Sequence, residues 1–384
     1  MAREFIVPGQ IVNGSGALAL AKTRFPGFGK KALIVTDPVM VKLGNCAKVE
    51  QALKDEGVDY AVFPDITGEP TDTMIAQGLA KYREQKCDFL IGLGGGSPMD
   101  SMKAIGSLVE HGGDIDDYMG RVIDVKMPPL IAIPTTAGTG SEATQFTIIN
   151  NTHKQVKMLL KGACLMSTLA IIDPQFTMTA PAGVTAHTGL DALCHCTEAY
   201  TSRKAQPLSD TFALSAVKRI FTYLPRAYEN GRDEEARVQM SIAALEAGIA
   251  FNNSSVTLIH GMSRPIGALF HIAHGLSNAM LLKECFRFAL PGAYDRFAVL
   301  GRTIGAAGAE DDDRTASEKF LEAVCSIVDR LNTPTLEQYG VNRGEFFAQI
   351  PKMASDALDS GSPQNTMRDI TKEDIEQMYR RLWD

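Results

Sequence analysis

The 384-residue sequence contains no run of about 18 apolar residues, so no membrane-spanning helix and no membrane partner are expected. It has no excess of positive charge. Its 38 Lys and Arg stand against 45 Asp and Glu, a net charge of −7, which argues against nucleic acid held by phosphate neutralisation. The opening MAREFIVPGQ lacks a basic stretch leading into an apolar one, so no secretory leader is expected. Cysteine is sparse and scattered, at Cys46, Cys87, Cys164, Cys194, Cys196, Cys285 and Cys325. Cys194-His195-Cys196 is too tight for a zinc finger and has no second pair. An odd, dispersed set reads as a reduced, cytoplasmic protein. There is no internal repeat. With 45% apolar and 22% charged residues the chain is neither disordered nor fibrous, and its length suits two or three domains.

The first half alternates short apolar runs with helical patterns. Lys31–Asp37, Tyr60–Pro64, Phe89–Leu93, Leu130–Pro134 and Leu169–Asp173 are continuous rather than alternating, as in parallel strands covered on both faces. Between them, Ile75, Leu79 and Tyr82 mark one face of a helix over Asp72–Gln85. Such alternation predicts a doubly wound α/β sheet. Glu4–Val12 and Ala143–Asn150 are expected as additional antiparallel strands. From about Thr185 long helical patterns take over: Gly189–Ser202, Ser209–Leu224, Asp233–Ile259, Ala316–Leu331 and Lys372–Leu382. Pro181-Ala182-Gly183 is the expected junction, which gives an α/β domain over 1–182 and a helical domain over 183–384. Ligands of open α/β sheets sit beyond the carboxyl ends of the strands, so a site in the cleft between the domains is expected. The acidic run Glu310–Asp313 reads as a solvated loop.

Two loops are candidates for holding phosphate. Ile91-Gly92-Leu93-Gly94-Gly95-Gly96-Ser97-Pro98-Met99-Asp100 leaves a strand and enters a helix, with Ser97 expected as the N-cap and Pro98 as the first helical residue. Its glycines let backbone N–H groups approach an anion at a helix N-terminus. It is neither GxGxxG nor a P-loop, and a tight turn is the other reading. Asp100, in the first helical turn, would repel a pyrophosphate; it caps the helix or faces the far end of a cofactor. The second loop, Pro134-Thr135-Thr136-Ala137-Gly138-Thr139-Gly140-Ser141-Glu142, can hold phosphates or a nicotinamide amide, or be a polar loop that caps itself. Asp37 can accept from a ribose 2′-hydroxyl and repel a 2′-phosphate, favouring NAD over NADP, or it only opens an Asp-Pro turn.

Five of the seven histidines fall between His187 and His274. Asp191 and His195 are four apart on one predicted helix, a spacing able to chelate a cation or to form a plain side-chain pair. With His260 and His274 they make an N₃O set suited to zinc, iron or copper. His187, one turn before Asp191, is a rival ligand. His271 is either a helix-end residue or a proton carrier.

Together, Gly92–Ile105, Pro134–Thr144, Gly189–Tyr200 and Ile259–Leu282 resemble the iron-containing (group III) alcohol dehydrogenase family along nearly the whole chain. The resemblance implies an N-terminal doubly wound dinucleotide-binding α/β domain and an all-α C-terminal domain, the dehydroquinate synthase-like architecture. It implies Fe²⁺, or Zn²⁺ as in relatives, on Asp191, His195, His260 and His274. It places NAD on Asp37, on Gly94, Gly95, Gly96 and Ser97, on Thr135, Thr136 and Thr139, and on Lys157. It implies hydride exchange with a small alcohol or aldehyde, and a homodimer or higher homo-oligomer.

One position departs from the family pattern: Arg264 stands where many members have histidine. Arginine stays protonated and cannot relay a proton. His271 could substitute as the relay, Arg264 could read an anionic group on the substrate, or Arg264 could turn away and pair with an acidic side chain. The alternatives to this activity are a glycerol or polyol dehydrogenase, a dehydroquinate synthase-like lyase, and a non-catalytic NAD- or metal-binding protein. Phe146, Phe251, Leu258 and Phe270 are candidate pocket residues.

Overall fold

The apolar runs of the first half become strands. In the computed structural model, which describes residues 2–154 and 156–384, they are β1 (Ile11–Asn13), β2 (Lys31–Val35), β3 (Asp59–Phe63), β4 (Phe89–Gly94), β5 (Leu130–Pro134), β6 (Phe146–Asn151), β7 (Val156–Lys161) and β8 (Leu169–Ile172). Six of them form one parallel sheet in the order β1-β8-β5-β4-β2-β3, while β6 and β7 form a separate antiparallel hairpin. The helices of this unit are α1 (Ala17–Ala21), α2 (Pro38–Lys42), α3 (Asn45–Asp55), α4 (Asp72–Glu84) and α5 (Gly96–Leu108).

Successive side chains along a strand point to opposite faces, and both faces of this sheet are covered. On β2, Leu33 and Val35 join a core with Ile75 and Leu79 of α4 and Met102 and Ile105 of α5. Ala32 and Ile34 join the opposite core with Leu18 and Ala21 of α1 and Val49 and Leu53 of α3. On the central strands β2, β4, β5 and β8 almost every residue is buried, so these runs carry no polar alternation.

The chain passes from β2 out to β3, then crosses back to β4 on the other side of β2. Diverging connections of this kind open a crevice at the carboxyl ends of the strands.

The described residues divide into two compact units, Ile6–Ala180 and Pro181–Asp384, the second joined by the segment up to Phe5. The second unit is helical throughout: α6 (Ala182–Tyr200), α7 (Pro207–Glu229), α8 (Glu234–Asn252), α9 (Leu258–Phe270), α10 (His274–Ala289), α11 (Tyr294–Thr303), α12 (Asp313–Arg330), α13 (Leu336–Tyr339), α14 (Arg343–Asp359) and α15 (Lys372–Arg381). No described helix is long and apolar enough to cross a membrane.

Three local expectations are corrected. Glu4–Val12 is not an antiparallel strand. The strand proper is Ile11–Asn13, and it runs parallel to β8; Gly9 and Gln10 already donate to the Ser167 and Thr168 carbonyls ahead of it, while Pro8 has no N–H to extend the ladder. Ser97 does not cap α5: the helix starts at Gly96 with Gly95 as its N-cap, and Pro98 sits within the first turn, where no intrahelical N–H is needed. The span Asp233–Ile259 is two helices. The polar run Asn252-Asn253-Ser254-Ser255 ends α8, and Ser255 takes φ +128° before α9 begins. That break brings the start of α9 to the histidine cluster.

Candidate metal centre and cofactor groove

The donors of the N₃O set come from the ends and middle of three helices. Asp191 and His195 lie one turn apart on α6, His260 is in the first turn of α9, and His274 is the first residue of α10. One donor atom from each falls within 4.8 Å of the others. Asp191 Oδ1 is 3.9 Å from His195 Nδ1, 3.7 Å from His260 Nε2 and 3.8 Å from His274 Nε2. A tetrahedron with bonds of 2.0–2.2 Å needs donors about 3.4 Å apart. The distances from Asp191 are close to that value, and the four side chains can close on one cation by drawing the histidines together.

Glycines permit this convergence. A Cβ at Gly275 would stand 2.9 Å from the carbonyl oxygen of His187, so α10 approaches α6 only with glycine there. A Cβ at Gly189 would lie 2.3 Å from Leu224 of α7.

Electrostatics favour a cation. Asp191, His195 and His260 are all under 5% exposed. Burial holds His260 well below the ordinary imidazole range, at about 4, against the pull of Asp191 and with a contribution from the positive charge of Arg264. The ring is thus neutral at physiological pH. Its Nδ1 is bonded to Glu198 Oε2, so the hydrogen sits on Nδ1 and the Nε2 lone pair faces the cluster. Glu198, fully buried one turn beyond His195, also accepts from Thr257 Oγ1 at 2.9 Å and from the Ile259 N–H at 2.6 Å. Those donors come from the segment that the α8–α9 break redirects.

Asn278, four residues after His274, places its amide among the donors: Nδ2 is 2.7 Å from Asp191 Oδ1 and 3.2 Å from Nε2 of both His260 and His274. Two amide hydrogens cannot serve three acceptors, so the site stays electron-rich and suits a divalent cation. Neither Glu198 nor Asn278 stood among the sequence candidates. Their spacings, three after His195 and four after His274, were the available signal.

None of the other candidates in the helical unit belongs to the donor cluster. His187 lies outside the four-residue cluster, and burial lowers its pKa. His271 is exposed and ends α9 in the left-handed region at φ +54°, three residues before His274. Arg264 does not turn to the surface to pair with an acid. Its Nη1 donates to Ser362 Oγ at 3.1 Å, and no described carboxylate lies within 4.0 Å. Phe251 stacks on His195, with ring centroids 4.3 Å apart, while Phe270 packs on Phe346. Leu258 is buried in the first turn of α9, and Phe146 belongs to the α/β unit, on β6.

In the α/β unit a groove of about 420 Å³ lies at the carboxyl ends of the strands. It is lined by Asp37 after β2, Thr67 and Gly68 after β3, Gly95, Gly96 and Ser97 after β4, and Thr135 and Thr136 after β5. Gly94, at φ +154°, turns the chain there, and a Cβ would meet Pro98 at 2.5 Å. Gly95 and Gly96 open backbone N–H groups at the start of α5. Thr136 Oγ1 is buried with no hydrogen-bond partner among the described residues. A glycine-lined helix N-terminus, an unspent hydroxyl and a carboxylate at the rim suit a dinucleotide.

Asp37 follows β2 and opens α2. Its Oδ1 caps α2, accepting from the Met40 N–H at 2.9 Å, while the side chain borders the groove. Thr139 lies against Gly96 and accepts from the Ser141 N–H. Asp100 is not among the residues that line the groove; it accepts from Ser141 Oγ at 2.7 Å and the Ile148 N–H at 3.0 Å, tying α5 to β6. The buried Lys103 completes this brace, donating to the carbonyls of Ser141, Thr144 and Phe146. Lys157, on β7, pairs with Glu69 at 2.6 Å.

Comparison with known proteins covers the whole chain. Residues 8–174 match the iron-containing alcohol dehydrogenase family, and residues 185–383 match its C-terminal domain. An NAD-dependent methanol dehydrogenase of Bacillus methanolicus is 36% identical over 379 residues, 98% of each chain. The solved structure of a 1,3-propanediol oxidoreductase superposes with a TM-score of 0.96 at 33% identity, covering all of both chains. An alcohol dehydrogenase from Oenococcus oeni gives 0.95 at 31%, covering 99% of this chain and all of that one.

Proposed function

The chain belongs to the iron-containing alcohol dehydrogenase family and is an NAD-dependent alcohol oxidoreductase, and we propose that Asp191, His195, His260 and His274 hold the divalent cation of its reaction, Fe²⁺ or Zn²⁺. The matches do not favour the polyol dehydrogenase alternative. The observation that carries the reading is the convergence of the four donor atoms within 4.8 Å.

A bound divalent cation supplies Lewis acidity toward the oxygen of an alcohol or aldehyde. The protein's own work is orientation. Glu198 fixes the His260 tautomer, and Asn278 holds the Asp191 carboxylate. Phe251, stacked on His195, gives the cluster an apolar border.

The groove at Asp37, Gly94–Ser97 and Thr135–Thr139 takes the dinucleotide, with Lys157 and Asp100 acting from its margins. Asp37 disfavours a 2′-phosphate, so NAD is the cofactor. Hydride transfer needs the reacting carbons about 3–3.5 Å apart. Arg264 stays charged, so the alcohol proton leaves by another group; His271, exposed between the two ligand-bearing helices, can pass it to solvent.

The cysteines are free and mostly buried, which fits a reducing cytoplasm. Exposed apolar side chains at Leu20, Val41 and Leu43 supply surface for a homo-oligomer. The test is a scan of the Fe²⁺-loaded protein with NADH and NADPH across short aldehydes. Turnover with NADH supports the reading. Absence of turnover with every aldehyde sinks it.

A further inference from the structure

We propose that Arg264 binds an anionic group at the far end of the substrate, so that the preferred aldehydes are short chains carrying a carboxylate or comparable oxyanion. This rests on the alcohol dehydrogenase reading above and narrows its substrate class.

The first observation is position. Arg264 follows His260 by four residues on α9. Residues at that spacing share a helix face, and the rise between them is about 6 Å. A substrate whose oxygen lies at the histidine cluster reaches the guanidinium across a spacer of a few carbons.

The second observation is unspent bonding capacity. A guanidinium has five N–H donors. One reaches Ser362 Oγ, and the remainder have no protein acceptor among the described residues. The negative charge that acts on Arg264 is Glu198. Its oxygens are already taken by Thr257, Ile259 and His260. Burial disfavours the charge. Covered charge without a hydrogen-bonded counter-ion is costly, and an oxyanion bound by paired N–H groups relieves that cost.

The third observation is rigidity. Ser362 is 6% exposed, and the helix seats against the residues that follow it: a Cβ at Gly261 would lie 2.6 Å from Pro363. The guanidinium is therefore anchored on one edge with its other donors available.

The test compares two four-carbon aldehydes, butanal and 4-oxobutanoate, with the metal-loaded protein and NADH. The wild type should show kcat/KM at least about tenfold higher for 4-oxobutanoate. Arg264→Gln should lower that ratio by at least about tenfold, with Arg264→Lys in between. A wild-type ratio at or below one overturns the proposal, as does a ratio that Arg264→Gln leaves within twofold. If the wild type reduces neither aldehyde, the dehydrogenase reading fails first and this one with it. Turnover of butanal without preference for the acid sinks only the present inference. The wild-type ratio needs no variant, so poor folding of Arg264→Gln does not rescue the idea.

Discussion

Asn278 donates from Nδ2 to Asp191 Oδ1 at 2.7 Å, fixing one oxygen of the only carboxylate in the four-residue donor cluster. The same amide reaches toward two histidines and leaves its own Oδ1 without a partner among the described residues. It thereby holds mutually repelling lone pairs together before any cation arrives. Asn278→Leu should weaken Co²⁺ or Zn²⁺ binding by about 10- to 100-fold, in line with other groups that orient metal ligands. Titration by calorimetry and the visible spectrum of the Co²⁺ form check this. An unchanged dissociation constant and spectrum would show that the amide is only packing.

Glu198 makes a separate prediction. Glu198→Gln keeps the shape but removes the charge that holds the His260 hydrogen on Nδ1, so metal affinity should fall by about 10- to 100-fold. Glu198→Ala also strands the Thr257 hydroxyl and the Ile259 N–H, at about 1–3 kcal/mol for each buried group left unpaired. Urea unfolding of the two variants separates orientation from stability: Gln should lose mainly metal, Ala both.

Asp37 serves a cap and a groove at once. Asp37→Ala should cost about 1 kcal/mol from the lost cap and should narrow the preference for NADH over NADPH. Fluorescence titration with the two cofactors measures it. An unchanged preference would leave Asp37 as a turn residue alone.

Glu142 links stability to pH. It is buried, and burial raises its carboxyl to about 7 from 4.5. Between those values the folded chain keeps a proton that the unfolded chain has released. The stabilisation is fully present below about 4.5 and is lost as pH rises through about 7. Glu142→Gln should flatten that slope and gain up to about 3 kcal/mol at neutral pH. Denaturant midpoints at pH 5 and 7.5 supply the comparison. An equal slope in the variant would place the titration elsewhere.

Much of this was legible in the residues. β4, β5 and β8, and β2 after Lys31, are apolar because both sheet faces are covered, and that pattern shows in a bare sequence. The same holds for Asp191 and His195, which share a helix face by spacing. Asp100 was not legible: its acceptors engage Ser141 and Ile148, more than forty residues away, and only the fold brings them near. The α8–α9 break was masked by apolar residues that continue the helical pattern on either side of Asn252–Ser255. Glu198 read as one more polar residue on an apolar helix, since its partners Thr257 and Ile259 arrive through that break. The partners of Arg264 were equally hidden, because Ser362 is 98 residues distant.

Turnover requires one divalent cation gripped by Asp191, His195, His260 and His274 under the proposed function. The most direct measurement is metal content by mass spectrometry alongside aldehyde-dependent NADH oxidation, in the wild type and in His260→Ala. The wild type should bind one equivalent and turn over, and the variant should lose both together. Full turnover by a chelated, metal-free His260→Ala protein would contradict the account.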